Sequence, residues 1–202
     1  MDSLRKLGFD AWRAAIRRRA ELQTAVLDLM DLRVSNPVDM GKVEAKVREI
    51  ERAKRYASRK RKKLVVRLNG TSDIRWESVQ CVRRGVEYAN PFQAFSELQF
   101  YDYTKLPNRR VAGIPNYHLT FSYSHRDEFA PIVARAVRFY GSAVNFAAVF
   151  AKALPAYFLG RDVVNGDESD LRFLDRRGVV VGLVAKGRAR RDTSGFVVPA
   201  LA

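Results

Sequence analysis

The chain has 202 residues, of which 47% are hydrophobic, so it is long enough and apolar enough to bury the core of one sizeable domain. It contains 37 Lys and Arg against 22 Asp and Glu, which gives a net charge of +15. These values exclude a wholly disordered chain and favour an anionic partner, with nucleic acid as the first candidate.

Cysteine usage and hydropathy narrow the class of protein further. Cys81 is the single cysteine, which excludes an intramolecular disulfide and any cysteine-rich zinc or iron–sulfur site. Residues 1–19 lack the apolar run of a secretory signal, and no segment approaches the roughly 20 apolar residues that cross a bilayer. We therefore expect a reducing compartment and no membrane partner.

The first part of the chain has helical periodicity. Apolar residues in 3–33 recur mostly every three or four positions, which predicts one amphipathic helix or two short ones. A second helix is predicted to start within 35–39, where an N-cap candidate, a proline and an acid occur together. Its apolar stripe is Met40, Val43, Val47, Ile50 and Ala57. The two helices predict a hairpin, and we assign residues 1–62 to a basic helical segment packed on the body.

The pattern changes after residue 63, where short apolar runs alternate with polar or helical stretches. The runs predicted as strands are 64–68, 98–103, 118–121, 144–150, 171–174 and 179–185. Residues 76–88 and 129–140 have the length and spacing of helices. This alternation predicts an α/β domain over 63–202 with a largely parallel sheet or a partial (βα) barrel.

Positive charge is concentrated in the first third of the chain. Residues 1–67 hold 19 Lys and Arg and 9 Asp and Glu, a net charge of +10. Such cations neutralise phosphates, although a solvated helix face ending in a charged linker would have the same composition. The cations that we assign to nucleic-acid binding, which include a second cluster near the end of the chain, are Lys54, Arg55, Arg59, Lys60, Arg61, Lys62, Lys63, Lys186, Arg188, Arg190 and Arg191.

Several predicted strands run into polar side chains at their carboxyl ends. Because these ends share one edge of a parallel sheet, polar groups that are far apart in sequence converge there. We therefore predict a polar pocket lined by Asn69, Thr71, Ser122, Ser124 and Asp167. The candidate catalytic residues are Asp73, Asp102 and Lys105, since acids and a lysine in a cleft bind metal with phosphate or transfer protons. Alternatively, each polar residue caps a helix or completes a turn.

Two observations limit the cofactors. His118 and His125 lie too far apart along a strand and its exit to share a metal, so no metal site is assigned. Neither GxxxxGK[ST] nor GxGxxG occurs, so the sequence offers no phosphate loop and no dinucleotide fingerprint. The cofactor, if there is one, stays unknown at this point.

Four short strings suggest a relationship: RLNGTSD at 67–73, FYDYTK at 100–105, NYHLTFS at 116–122 and DTSGFV at 192–197. Their order resembles a family of proteins encoded by bacteriophages and other mobile elements, over about residues 64–198. The resemblance implies a phage or prophage origin and action in the cytoplasm of a bacterial host cell, and it supplies no established catalytic residues. The strand–loop alternation is also similar to the partial (βα) barrels of radical S-adenosylmethionine enzymes, but their three-cysteine cluster is absent.

Three functions remain open. The first is a nucleic-acid-binding protein of phage or mobile-element DNA or RNA metabolism, which acts through its basic helical surface. The second is an enzyme with a polar, metal- or phosphate-binding site at the strand ends. The third is a phage protein that binds and inhibits a host or defence protein. The sequence does not distinguish DNA from RNA and does not give the oligomeric state.

Overall fold

A computed structural model of the chain describes residues 38–70 and 72–199, together with the backbone of a short strand at 25–28. The strands are β1 Ala25–Asp28, β2 Leu64–Arg67, β3 Cys81–Arg83, β4 Val86–Tyr88, β5 Gln99–Thr104, β6 Tyr117–Ser122, β7 Asn145–Phe150, β8 Tyr157–Phe158, β9 Arg161–Asn165 and β10 Val180–Val184. The α-helices are α1 Met40–Arg59, α2 Pro91–Ala94 and α3 Ala130–Tyr140.

Eight strands form one sheet in the order β1-β2-β5-β6-β7-β10-β9-β8. All neighbouring pairs from β1 to β9 are parallel, and β8 is antiparallel to β9. The predicted α/β class with a largely parallel sheet is therefore confirmed. Within the described residues the sheet is open, with β1 and β8 at its edges, and no barrel closes.

Helix α1 forms where the apolar periodicity predicts it. Asp39 is the N-cap, and its side chain accepts a hydrogen bond from the Gly41 N–H at 2.9 Å. The helix thus begins a little later than predicted, and Ser35 to Pro37 lie outside the described residues. The predicted stripe packs into the core through Val43, Val47, Ile50 and Ala57, whereas Met40 is half exposed.

The helix ends in a turn that leads directly into β2. The Lys62 N–H donates to the Ala57 carbonyl at 2.9 Å, and the Arg61 N–H donates to the Ser58 carbonyl at 3.0 Å. This pair of bonds is a Schellman motif, which places Arg61 at a position with φ of 51° where glycine is favoured. The basic turn, residues 60–63, therefore has a defined backbone.

Both faces of the sheet are covered, by different elements. On one face, the ring of Phe92 in α2 stacks on Tyr117 at 4.1 Å and meets Phe100 edge-on at 5.1 Å. Tyr101 points to the opposite face because neighbouring strand residues alternate, and there it contacts Phe173. The buried apolar residues of α1, α2, α3 and the sheet form one continuous core. The boundary near residue 62 stays a prediction, although α1 shares this core.

Two predicted elements are wrong. Residues 76–88, predicted as a helix, form a 3-10 turn at Trp76–Ser78 followed by the antiparallel hairpin of β3 and β4. The chain reverses because Arg84 and Gly85 both have positive φ, the geometry of a two-residue hairpin turn. Residues 171–174, predicted as a strand, instead form a 3-10 turn at Arg172–Leu174 across the face of the sheet. The place between β7 and β9 is taken by β10, and residues 171–174 pack on the face of the sheet instead, where Phe173 contacts Tyr101.

The structure also differs from the helix predicted near the N-terminus. Ala25–Asp28 pairs with β2 as a parallel strand, although a helix was predicted through this stretch. Its short apolar run completes the edge of β2, and this tertiary pairing outweighs the helical periodicity. The rest of the predicted first helix lies outside the described residues. Among the helices that the structure describes, none is long and apolar enough to cross a membrane.

Candidate functional site

The Asp102 side chain is buried inside the sheet, where it bonds to backbone groups and no ligand reaches it. The side chain is 0% exposed, and its Oδ1 accepts the backbone N–H groups of Leu68 at 3.0 Å and Asn69 at 2.8 Å. Its Oδ2 accepts the Tyr117 hydroxyl at 3.0 Å. Burial raises the pKa of Asp102 to about 6, against the lowering effect of the Asn69 hydrogen bond. The geometry therefore favours a structural role over the predicted catalytic one.

Asp73 and Lys105 do come together, at the carboxyl end of β5. The Asp73 carboxylate accepts the Thr104 hydroxyl and the Lys105 N–H, each at 2.6 Å. Lys105 Nζ lies 3.4 Å from Ser122 Oγ at the end of β6 and sits over the rings of Phe129 and Phe196. Burial, with repulsion by Arg126, lowers the pKa of Lys105.

The remaining pocket residues are spread along the edge. Asn69 organises its own loop, because its Oδ1 accepts the Ile74 N–H and the Trp76 Nε1–H, each at 3.0 Å. Thr71 lies outside the described residues. Ser124 is 3% exposed and lines a cavity beyond the end of β6.

Asp167 pairs with Lys186 at 2.9 Å at the ends of β9 and β10. Burial acts to raise the pKa of Asp167, but the hydrogen bond from Lys186 lowers it overall. Strand β7 lies between β6 and β10, so this pair is about 10 Å along the edge from Ser122. The predicted single cleft is thus divided into two polar clusters.

A buried ion pair supports the Asp73 loop, and sequence reasoning missed it. The Arg109 side chain is 0% exposed, donates to both carboxylate oxygens of Glu77, and lies 3.7 Å from Asp73 Oδ1. Its sequence neighbourhood, a loop with several polar residues, gives no signal that the guanidinium is buried.

In the part of the chain that the structure describes, no group of three or more His, Cys, Asp or Glu side chains could hold a metal ion. His118 lies within β6, and burial, with repulsion by Arg177 and Arg172, lowers its pKa to about 4. His125 lies beyond the strand, where its Nδ1 is 3.0 Å from the Tyr123 hydroxyl.

The cations at the end of α1 are exposed. Arg55, Arg59, Lys60, Arg61, Lys62 and Lys63 are all exposed, whereas Lys54 is half buried and pairs with Glu97. Among the described residues, no carboxylate pairs with Arg55, Arg59 or Arg61. These side chains project from the end of the helix into solvent.

The helix itself continues this surface, which sequence reasoning did not isolate. Four exposed arginines recur at spacings of four, three and four residues and form the arginine stripe: Arg48, Arg52, Arg55 and Arg59. At 100° per residue they fall within about 60° of one another, on the side of α1 opposite its buried residues. The same 3.6-residue periodicity that found the buried face would have found this stripe.

A groove of about 600 Å³ runs beside the stripe, between α1 and the β3–β4 hairpin. Its floor carries Glu51, which pairs with Arg83 at 2.7 Å and with Arg84 at 3.2 Å. Burial acts to raise the pKa of Glu51, but these arginines lower it overall. Glu51 pairs with Arg83 and Arg84 and not with Arg52 or Arg55 at the rim of the groove.

The two predicted basic clusters do not form one surface. The basic turn enters the amino end of β2, whereas the late basic loop, residues 186–191, follows the carboxyl end of β10. Since β2 and β10 run in the same direction, one cluster lies at the amino ends of the parallel strands and the other at their carboxyl ends. They are also four strand positions apart, about 19 Å. The two clusters therefore form two separate patches.

Comparison with known families supports the relationship that the four sequence strings suggest. The model of the family described as Gene product 88 matches residues 11–200. The chain belongs to this family. The match supports a phage-type gene product, and the Gene product 88 description names no ligand or reaction. Comparison with curated proteins and with solved structures gave no significant match.

Proposed function

We propose that the protein binds nucleic acid through the arginine stripe and the basic turn. The observation that carries this proposal is the placement of Arg48, Arg52, Arg55 and Arg59 on one exposed line of α1, directly opposite its buried face. Between Arg48 and Arg59 this line of α1 carries no acid, and Glu44, one turn before Arg48, is the acid at its start. A helix that only needed a solvated face would mix both signs of charge along the line.

The dimensions of the stripe suit a phosphate backbone. From Arg48 to Arg59 the helix rises about 16 Å at 1.5 Å per residue. Along one strand of duplex DNA, with one phosphate per 3.4 Å of axis, this length holds about five phosphates. The basic turn prolongs the line at the end of the helix with four consecutive cations.

The chemistry of the surface indicates binding without sequence readout. Guanidinium groups contact phosphate oxygens well, and such contacts fix the position of a strand but read no bases. We therefore expect similar affinity for mixed sequences and a strong dependence on salt concentration. We propose on this basis that the protein acts in phage DNA or RNA metabolism.

The test compares two triple variants with the same change of charge. Arg52→Glu/Arg55→Glu/Arg59→Glu alters the stripe, and Arg188→Glu/Arg190→Glu/Arg191→Glu alters the late basic loop at the opposite edge. Fluorescence anisotropy with labelled mixed-sequence DNA and RNA is recorded across a salt series. The stripe variant should lose about 100-fold or more in affinity at low salt, and the slope of log K against log salt should flatten by about 3.

At about 0.15 M salt, where the Debye length is about 8 Å, the control variant should keep its affinity within about threefold, because it keeps the stripe. Equal losses in both variants would mean that net charge alone drives binding and would overturn the proposal. Failure of the unaltered protein to bind either nucleic acid at low salt would overturn it as well.

A further inference from the structure

A second cavity, distinct from the groove beside α1, lies at the carboxyl end of β6. This β6 cavity has a volume of about 550 Å³, which is within the usual range for sites of small molecules. It lies between the loop that leaves β6 and helix α3. Its lining residues are Tyr123, Ser124, His125, Arg126, Asp127, Ala130, Val133, Ala134, Val137, Arg138 and Leu159.

Two donors of this lining lack the partners that buried polar groups require. Ser124 is 3% exposed, and its Oγ has no hydrogen-bond partner in the described structure. The Nε of Arg126 is likewise buried without a partner. Buried donors are nearly always satisfied, so two unsatisfied donors at one cavity indicate a missing acceptor.

The electrostatic surroundings select the charge of that acceptor. Arg126 places its other nitrogens on Ser194 Oγ at 2.9 Å and near Glu128 at 3.8 Å, and its Nε has no partner among the described residues. Lys105 lies close enough to Arg126 for the two cations to repel each other. Helix α3 begins at this cavity without a side-chain cap, and Asp127 and Glu128 in the 3-10 turn before it already place negative charge near its amino end. Asp127 is the one carboxylate in the lining.

The opposite wall of the cavity is apolar. It consists of Ala130, Val133, Ala134, Val137 and Leu159, which offer no hydrogen bonds from their side chains. A cavity of this size holds far more than a single water, whose share of liquid volume is about 30 Å³. The ligand should therefore combine a charged head with an apolar body.

We propose that the β6 cavity binds a small organic anion whose phosphate or carboxylate accepts hydrogen bonds from Ser124 Oγ and Arg126 Nε, and whose apolar part lies on Val133, Val137 and Leu159. The position agrees with the general rule that open parallel sheets bind ligands at the carboxyl ends of their strands. The site is independent of the nucleic-acid surface, since α1 contributes no residue to it.

The experiment follows the Arg126 Nε–H signal by NMR in the full chain, with phenyl phosphate, benzoate and inorganic phosphate as probes at millimolar concentration. The signal is assigned by its loss in Arg126→Gln. At least one of the two aromatic anions should shift it in a saturable way, and inorganic phosphate should bind about tenfold more weakly because it has no apolar part. Comparison of phenyl phosphate with benzoate identifies the preferred head group.

Variants then test the two donors. Ser124→Ala and Arg126→Gln should each weaken binding about tenfold or more, whereas Arg135→Gln, an exposed arginine of α3 outside the cavity, should leave it unchanged. If none of the three probes shifts the Arg126 Nε–H signal, the proposal is overturned. So would full affinity in Ser124→Ala, which is small enough a change to keep the fold.

Discussion

The Asp102 carboxylate lies 2.8 Å from the backbone nitrogen of Asn69, and this contact ties β5 to the loop that leaves β2. The carboxyl has a folded-state pKa of about 6, above its ordinary value of 3.8. Because the folded state binds the proton more tightly, the stability from Asp102 is fully present below about pH 4 and is lost as the pH rises through 6.

We therefore expect the free energy of unfolding of Asp102→Asn, relative to that of the unaltered protein, to increase between pH 4 and pH 7. The expected increase is about 3 kcal/mol, which corresponds to a pKa shift of about two units. The amide oxygen can accept both backbone N–H groups, and no charge is buried. Urea unfolding at each pH measures the difference. Asp102→Ala serves as the control and should be destabilised at every pH, because it leaves three donors without an acceptor.

Arg109 and Glu77 form a buried pair whose separation should be costly. Their side chains are 0% and 6% exposed, and the shortest contact, from Nη2 to Oε2, is 2.6 Å. Arg109→Met should lower the free energy of unfolding by about 3–5 kcal/mol, since it leaves a buried carboxylate unpaired. Denaturant unfolding of the double variant Arg109→Met/Glu77→Gln should show a loss well below the sum of the single losses. Additive losses would mean that the two groups are not coupled.

Arg61 is held at a backbone position that glycine occupies more easily. Its φ of 51° costs a residue with a side chain about 1–2 kcal/mol. Glycine avoids this cost, but its greater freedom in the unfolded chain offsets part of the gain. Arg61→Gly should thus stabilise the protein by about 0.5–1 kcal/mol in a thermal or denaturant unfolding assay. Lys60→Gly removes the same charge at a position with φ of −89° and should not stabilise it.

Gly166 shows how closely the turn after β9 packs on the sheet. A Cβ at this position would lie 2.4 Å from Val181 Cγ1 and 2.9 Å from Arg172 Nη1. Gly166→Ala should destabilise the protein by about 1–3 kcal/mol, because neither neighbour can move without disturbing the core. Gly113→Ala meets no atom within 4 Å and should change the melting temperature little. Equal melting temperatures for the two variants would contradict this packing.

Within the arginine stripe, the proposed function predicts unequal contributions. Arg48 lies 3.5 Å from Glu44, whereas no carboxylate among the described residues pairs with Arg52. Arg52→Gln should therefore weaken nucleic-acid binding more than Arg48→Gln does. Glu44→Gln should strengthen binding, since it removes a negative charge that repels the phosphates. Anisotropy titrations at one fixed salt concentration measure all three, and weaker binding by Glu44→Gln would contradict the assignment of this face.

Periodicity alone predicted much of the fold. The parallel strands β2, β5, β6, β7 and β10 and the helices α1 and α3 lie where the apolar runs placed them, because each buries a nearly continuous apolar segment. The 76–88 prediction failed because a two-residue reversal at Arg84 and Gly85 outweighs helical spacing. Strands β8 and β9 were not predicted because they are the last two strands at one end of the sheet and are only partly buried.

The candidate sites were predictable to different degrees. The meeting of Asp73, Lys105 and Ser122 follows from the parallel direction of their strands, which the sequence pattern predicts. The burial of Asp102 does not, since a strand residue followed by polar neighbours looks the same whether its carboxylate faces water or backbone N–H groups. The β6 cavity depends on how far α3 stands from the strand end, a distance that packing alone determines.

The strand order has a consequence for synthesis. Strand β10 pairs with both β7 and β9, although it is made after both, and Val198 later pairs with Phe150 at the end of β7. A nascent chain that has reached β9 therefore presents β7 with one side unpaired, and β9 has no parallel neighbour to hold it. Strand β7 therefore keeps one open side from its own synthesis until Val180–Val184 has been made, and during that whole interval this edge can pair with other chains.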